Sequence, residues 1–365
     1  MLGAPSGLAT IVDARVGPEL LWVVLVKAVV LLLVGLTTAA YLTLLERKVA
    51  ARIQLRIGPN RVGPFGLLQP AADAVKLLFK ENTAPANRDK LLFLVGPGLA
   101  AGAAVFAFGM IPLSAVNCFG GPKQDQTQLS CPSGYEFHWN LGHFNVGLLF
   151  LLATTSLGVY SLFLGGWSAN SKYSLLGGLR SSAQLISYEM AVAFALIGPV
   201  ILAGSLDLEK LVVAQGGLWF VFQQPLAFIL YSIGALAETN RAPFDLPEAE
   251  TELVAGYHTE YSGMRFGLYF LGEYINMVTV SSIATALFLG GWLSPVPTGF
   301  LFFGWIPGFV WFFAKVMALV FAMMWIRWTL PRLRYDRLMS LGWKVLLPLG
   351  LVNIAITGTV VALQA

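Results

Sequence analysis

The 365-residue sequence is short of charge: Asp, Glu, Lys and Arg make up 12% of it, against about 25% in an ordinary soluble domain. It is also short of metal-binding side chains, with two cysteines (Cys118, Cys131) and three scattered histidines (His138, His143, His258). A cysteine-ligated zinc or an iron–sulfur cluster takes about four ligands, so neither belongs to this chain. The histidines are too few and too far apart to suggest haem or a metal. Scarce charge beside 57% hydrophobic residues excludes intrinsic disorder as well. The net charge of +4 is small and gathered by loop, which makes nucleic acid a poor partner.

What the chain has instead is long apolar runs, and a mean hydropathy of +0.72. About 20 apolar residues cross the roughly 30 Å of a hydrocarbon core. The pattern predicts an all-α integral membrane protein of about eight transmembrane helices, at 19–44, 91–113, 144–165, 183–204, 219–238, 266–290, 303–329 and 343–363. The expected organisation is a single membrane domain over 1–365. After the first span comes a loop at 45–90, then a central bundle at 91–290 with an acidic loop at 239–265, then the last two spans at 303–363. The first run is too long for a cleaved signal peptide and stops at Glu46-Arg47-Lys48 without a small-residue cleavage site. Loops after spans one, three, five and seven hold most of the Lys and Arg, whereas those after two, four and six offer only Lys123 and Lys210. The positive-inside rule then puts the odd loops in the cytoplasm and both termini outside. Cys118 and Cys131 share the outward loop 114–142, where a disulfide and two free thiols are both open.

Within the first loop, Gln69, Asp73, Lys76 and Lys80 recur at helical spacing, with Leu68, Ala71, Ala72, Val75, Leu78 and Phe79 between them. An amphipathic helix over 67–80, too short to span, is expected in the membrane interface. Several ionisable groups fall inside spans, where each costs at least about 2.5–3.5 kcal/mol on insertion scales. These are Glu189, Glu238, Glu273 and Lys315, with Lys27 able to snorkel from the outer part of span one. Burial drives a lone carboxylate toward its protonated form unless a cation answers it. The four residues therefore read as a charge pathway, or as static pairs that hold helices together. Between 238 and 273 lie seven of the nineteen acids, Glu238, Asp245, Glu248, Glu250, Glu252, Glu260 and Glu273, against Arg241 and Arg265. Pro247 suits the first turn of a helix, with Glu248 and Glu250 at its positive dipole end. The stretch reads as a folded acidic wall beside a cavity.

Four stretches carry a resemblance: ERKVAARIQLRIGPNRVGPFGLLQPAADAVKLLFKE (46–81), SKYSLLGGLRSSAQLISYE (171–189), ETNRAPFDLPEAETELVAGYHTEYSGMRF (238–266) and PRLRYDRL (331–338). They resemble the H subunit of bacterial proton-pumping NADH:quinone oxidoreductase, the mitochondrial subunit 1 family of respiratory complex I. The resemblance implies a bacterial inner-membrane subunit that supplies a quinone tunnel and binds no cofactor itself. Its tunnel wall would be Glu46, Arg47, Arg56, Asp73, Ala74, Arg241, Phe244, Asp245, Glu248, Glu250, Glu252, Glu260, Arg327, Arg332 and Arg334. The implied tunnel mouth lies between the first span, the sixth span and helix 67–80. Glu189, Glu238 and Glu273, with Lys315, would form a proton relay, and no residue would take part in hydride or electron transfer. Implied partners are peripheral-arm subunits with the terminal iron–sulfur cluster and FMN, small and antiporter-like membrane subunits, quinone and lipids.

Two departures from the family pattern stand out. A glutamate common in the third span is Ser156 here, in TSLGVY, and the family's Arg-Tyr-Asp-Gln is Arg334-Tyr335-Asp336-Arg337. A water held by Ser156 and Thr155 is one substitute for the absent carboxylate. Related ferredoxin- or hydrogenase-linked membrane oxidoreductases use similar subunits. A stand-alone ion transporter is the other class open at this point, although no paired halves with matching broken helices are visible.

Overall fold

The computed structural model describes residues 15–16, 19–119, 135–142, 144–245, 255–295 and 306–364. In chain order, α1 (Leu21–Ile53) is followed by the short α2 (Gln69–Phe79), then α3 (Lys90–Gly109), α4 (Gly147–Ser168) and α5 (Lys172–Ala203). Three brief helices come next: α6 (Leu208–Val213), α7 (Phe220–Gln223) and α8 (Pro225–Glu238). The chain ends in α9 (Gly263–Phe288), α10 (Gly308–Thr329), α11 (Tyr335–Leu341) and α12 (Leu347–Gln364), the last two joined by a π-helical turn at Gly342–Leu346. Strand is confined to two short hairpins, Arg15–Val16 with Glu19–Leu20 and Asn117–Phe119 with Tyr135–Phe137. The chain is an all-α integral membrane protein.

Among the described residues, seven helical segments are long and apolar enough to cross a membrane. The expected fifth span, 219–238, is shorter than predicted. Gln224 leaves helical geometry between α7 and α8, and Pro225 restarts the chain in a helix of only 14 residues. At about 1.5 Å per residue α8 is about 21 Å long, less than the hydrocarbon core. The first span also differs: α1 runs without a break to Ile53, so Glu46, Arg47, Lys48 and Arg52 lie on its last turns and not in a loop. Likewise α5 starts at Lys172, eleven residues before the predicted start at 183. Helix-compatible charged and polar residues such as Arg180 and Gln184 let the helix continue past the apolar run. The disulfide expectation lies outside the described residues, as do Glu248, Glu250, Glu252 and the helix expected after Pro247.

The bundle is built around α9, which packs on α3, α10, α1 and α2, while α5 packs on α4, α8 and α12. Thr279, Ser281, Ser282 and Thr285 of α9 are wholly buried. Thr279, Ser281 and Thr285 donate to carbonyls one turn back at 3.0, 2.8 and 2.9 Å, which satisfies them without water. Small residues bring helices close: a Cβ on Gly166 of α4 would meet the Ser174 carbonyl at 2.6 Å and the Gly178 Cα of α5 at 3.1 Å.

One end of the bundle gathers α2, residues 241–245, residues 255–262 and residues 330–336. Thr83 N donates to Ser262 Oγ at 2.9 Å there, and Leu333 N to the Pro243 carbonyl at 3.0 Å. The opposite end gathers residues 135–141 over α6. Lys27 belongs to that opposite end, and it does not snorkel. It is buried, donates Nζ–H to the His138 carbonyl at 3.2 Å, and lies 5.2 Å over the Phe137 ring. The hairpin folded back over α1 covers it, and His138 is itself tied to buried Glu209 at 3.0 Å.

Candidate functional site

At the end that carries α2, a buried ion cluster joins three helices. Glu46 of α1 accepts from Arg241 Nη1 on Oε2 at 2.6 Å and from Arg327 Nη1 of α10 on Oε1. Tyr274 of α9 donates its hydroxyl to Glu46 Oε2 at 2.8 Å. Arg241 also reaches Glu273 of α9, with Nε and Oε1 2.7 Å apart but not aligned for a hydrogen bond. Its guanidinium sits 4.3 Å over the Tyr274 ring. Burial opposes the charge on Arg241, but Glu273 and Glu46 outweigh it, so the guanidinium is held protonated more firmly than in water. Arg241 thus touches both carboxylates.

The other residues of the expected tunnel wall fall in separate places. Asp245 is buried and accepts from Arg332 at 2.8 Å, and the buried Phe244 offers its carbonyl to Gln184 at 2.8 Å. Gln184 also donates to the Ala237 carbonyl at 2.9 Å, which ties residues 237–244 to α5. On α2, Asp73 accepts from Arg47 at 2.7 Å and from Gln69 at 3.1 Å, with Lys76 3.7 Å away and Ala74 exposed. The predicted polar face of α2 is therefore real, and it binds α1 through Arg47. Arg56 is not brought to the ion cluster: it is exposed and donates to Gln54 at 2.7 Å. Arg334 is also exposed and pairs with Asp336 at 3.1 Å, while Glu260 is half-buried beside the start of α9.

Farther into the bundle, a cavity of about 90 Å³ opens between α3, α4, α5, α8 and α9. Glu189, Glu238 and Glu273 all line it, with Thr155, Asn240, Asn276, Tyr257 and Tyr269. A polar hollow of this size has room for several waters. Glu273 faces two ways, into the cavity and onto Arg241. Glu189 accepts a hydrogen bond from Ser156 Oγ, the serine that stands where the family pattern has a glutamate. Glu238 makes no ion pair with the described residues. Lys315 stays apart from the carboxylates. Its ammonium donates to the carbonyls of Leu289, Gly291 and Leu293 at 2.7, 2.9 and 2.7 Å and lies 4.3 Å over the Trp219 ring. Three carbonyls of the turn that follows α9 account for it locally.

The tyrosines and asparagines of the cavity carried no signal in the sequence, because uncharged polar residues in an apolar helix cost little and follow no period. Residues 255–262 form an aromatic cluster beside the cavity. Tyr261 stacks on Phe93 at 4.1 Å and meets the Ser168 hydroxyl at 3.1 Å, and His258 stacks on Tyr257 at 3.9 Å. Burial lowers the His258 pKa to about 4 and raises that of Tyr261, so both are neutral at pH 7. Among the described residues, no group of three His, Cys, Asp or Glu is placed to hold a metal ion.

Comparison with known proteins adds a family to this geometry. Residues 26–358 match the family described as NADH dehydrogenase. The chain is 53% identical over 340 residues to NADH-quinone oxidoreductase H subunit 1 of Geobacter metallireducens, covering 93% of this chain and 97% of that protein. It is 53% identical over 334 residues to the corresponding H subunit 2 of Geobacter sulfurreducens, covering 92% and 95%. To the NADH-quinone oxidoreductase H subunit of Protochlamydia amoebophila it is 50% identical over 321 residues, covering 88% and 92%.

Proposed function

The chain belongs to the NADH dehydrogenase family, and from that premise we propose that it is the membrane subunit of a proton-translocating NADH:quinone oxidoreductase that guides quinone and couples its reduction to proton transfer. Quinone is the substrate. FMN and the iron–sulfur clusters belong to peripheral-arm partners, and antiporter-like subunits continue the path in the membrane. The end with α2 faces the cytoplasm of a bacterial inner membrane, and α1, α2 and α9 frame the quinone doorway.

The observation that carries this reading is the double contact of Glu273. It meets Arg241, which holds Glu46, and it also lines the cavity shared by Glu238 and Glu189. A charge change at the cluster is therefore felt by the cavity carboxylates. Two like charges 6 Å apart in an effective dielectric of about 20 repel by roughly 3 kcal/mol. That is about a hundredfold change in protonation, enough to send a proton onward. Quinone reduction beside residues 241–245 thus alters the charge balance around Arg241 and the protonation of Glu273, and Glu238 and Glu189 pass the proton inward.

The test is Glu238→Gln in the assembled enzyme. Gln keeps the shape and removes the titrating group, so proton pumping coupled to quinone reduction is expected to be lost. Retention of both quinone reductase activity and pumping defeats the relay.

A further inference from the structure

We propose that Ser156 is a hydrogen-bond switch that carries the protonation state of Glu189 to Thr155 on the cavity wall. The proposal rests on the relay reading above and names the device through which one of its carboxylates acts on the cavity.

Ser156 has a single hydroxyl proton and two acceptors within reach, Glu189 Oε1 and the Leu152 carbonyl at 2.9 Å. The Leu152 carbonyl is already well supplied. As part of α4 it receives the Ser156 backbone N–H, and Thr155 Oγ1 donates to it at 2.9 Å. A carbonyl oxygen has two lone pairs, so these two donors fill it. With Glu189 ionised, the Ser156 proton therefore goes to the carboxylate, and Thr155 keeps the carbonyl.

Protonation of Glu189 reverses this arrangement. When the proton sits on Oε1, the carboxylic acid becomes the donor and Ser156 Oγ the acceptor, so the Ser156 O–H turns to Leu152. It then competes with Thr155 for the same lone pair. Thr155 lines the cavity, and its released hydroxyl becomes a donor to the space it shares with Glu238 and Glu273. No proton leaves Ser156 or Thr155; only their O–H bonds rotate. The charged and titratable groups facing Glu189 across the cavity are Glu238 from α8, Glu273 from α9 with Arg241 behind it, and the hydroxyls of Tyr257 and Tyr269. A glutamate at position 156 would add a second titrating group, whereas serine adds a reporter with no charge of its own.

The test uses the assembled complex in proteoliposomes and reads protons translocated per NADH oxidised as a function of pH. Ser156→Ala removes a donor to the carboxylate and moves the half-maximal pH of pumping upward by about one to two units, the size of one charge-assisted hydrogen bond. Ser156→Thr, which keeps the hydroxyl, retains the wild-type profile. Thr155→Val, near-isosteric and without a hydroxyl, lowers the proton-to-electron ratio and carries the test alone if Ser156→Ala does not assemble. Wild-type profiles in both Ser156→Ala and Thr155→Val overturn the switch. Glu189→Gln in the same preparation separates the two ideas: if it stops pumping while those two variants behave as wild type, the relay stands and the switch fails. If Glu189→Gln pumps normally, the relay itself fails.

Discussion

At the scale of single residues, Arg241 has the largest part. It is buried with Glu46 and Glu273 on either side, so its removal strips Glu273 of the cation it touches and leaves Glu46 with Arg327. Breaking a buried ion pair from one side costs about 3–5 kcal/mol. Arg241→Met is expected to lower the melting temperature of the purified complex, and Arg241→Met with Glu273→Gln to recover part of the loss. His258 gives a pH prediction. Burial sets its pKa at about 4 in the folded chain, against the ordinary 6.5. The unfolded chain takes up that proton first, so the stability contribution is full above pH 6.5 and is lost as pH falls toward 4, by about 3 kcal/mol in all. Melting curves at pH 7.5 and pH 5 should converge in His258→Asn relative to the wild type. The intramembrane acids were legible in the sequence because lipid penalises them. Their partners were not, since nothing in the spacing of Glu46, Arg241 and Arg327 says that three distant segments meet.

At the scale of elements, hydropathy located the helices better than it located their ends. α1 and α5 outrun their apolar cores because Arg, Lys, Gln and Glu are good helix formers once the chain reaches water. The amphipathic α2 was legible from the spacing of Gln69, Asp73 and Lys76, and Pro70 sits in its first turn. The break at Gln224 falls at Gln223-Gln224-Pro225, an interruption that the apolar residues on either side outweigh in a hydropathy average. The contact of α4 with α5 depends on glycine. Gly166→Ala would press a methyl on the Ser174 carbonyl, and overpacking of this kind costs about 1–3 kcal/mol. Less assembled complex is expected on native gels for Gly166→Ala. Gly102→Ala, where a Cβ meets nothing within 4 Å, is expected to leave the amount unchanged.

At the scale of the whole molecule, the chain places a charged cluster at one end of the bundle and a carboxylate-lined cavity inside it, and Glu273 belongs to both. The membrane class, the family and the acids that line the cavity were readable from composition and motifs. The cavity was not, because α3, α4, α5, α8 and α9 contribute its wall from residues spread between Ala100 and Asn276. Lys315 shows the limit of reading charge by position alone: it lies within α10 yet serves three carbonyls of the turn after α9. The most direct test of the account is a redox-induced infrared difference spectrum of the assembled enzyme, followed in the carboxylic C=O region as quinone is reduced. The account predicts a protonation band that disappears in Glu238→Gln. A spectrum without such a band, or one that Glu238→Gln leaves unchanged, would contradict it.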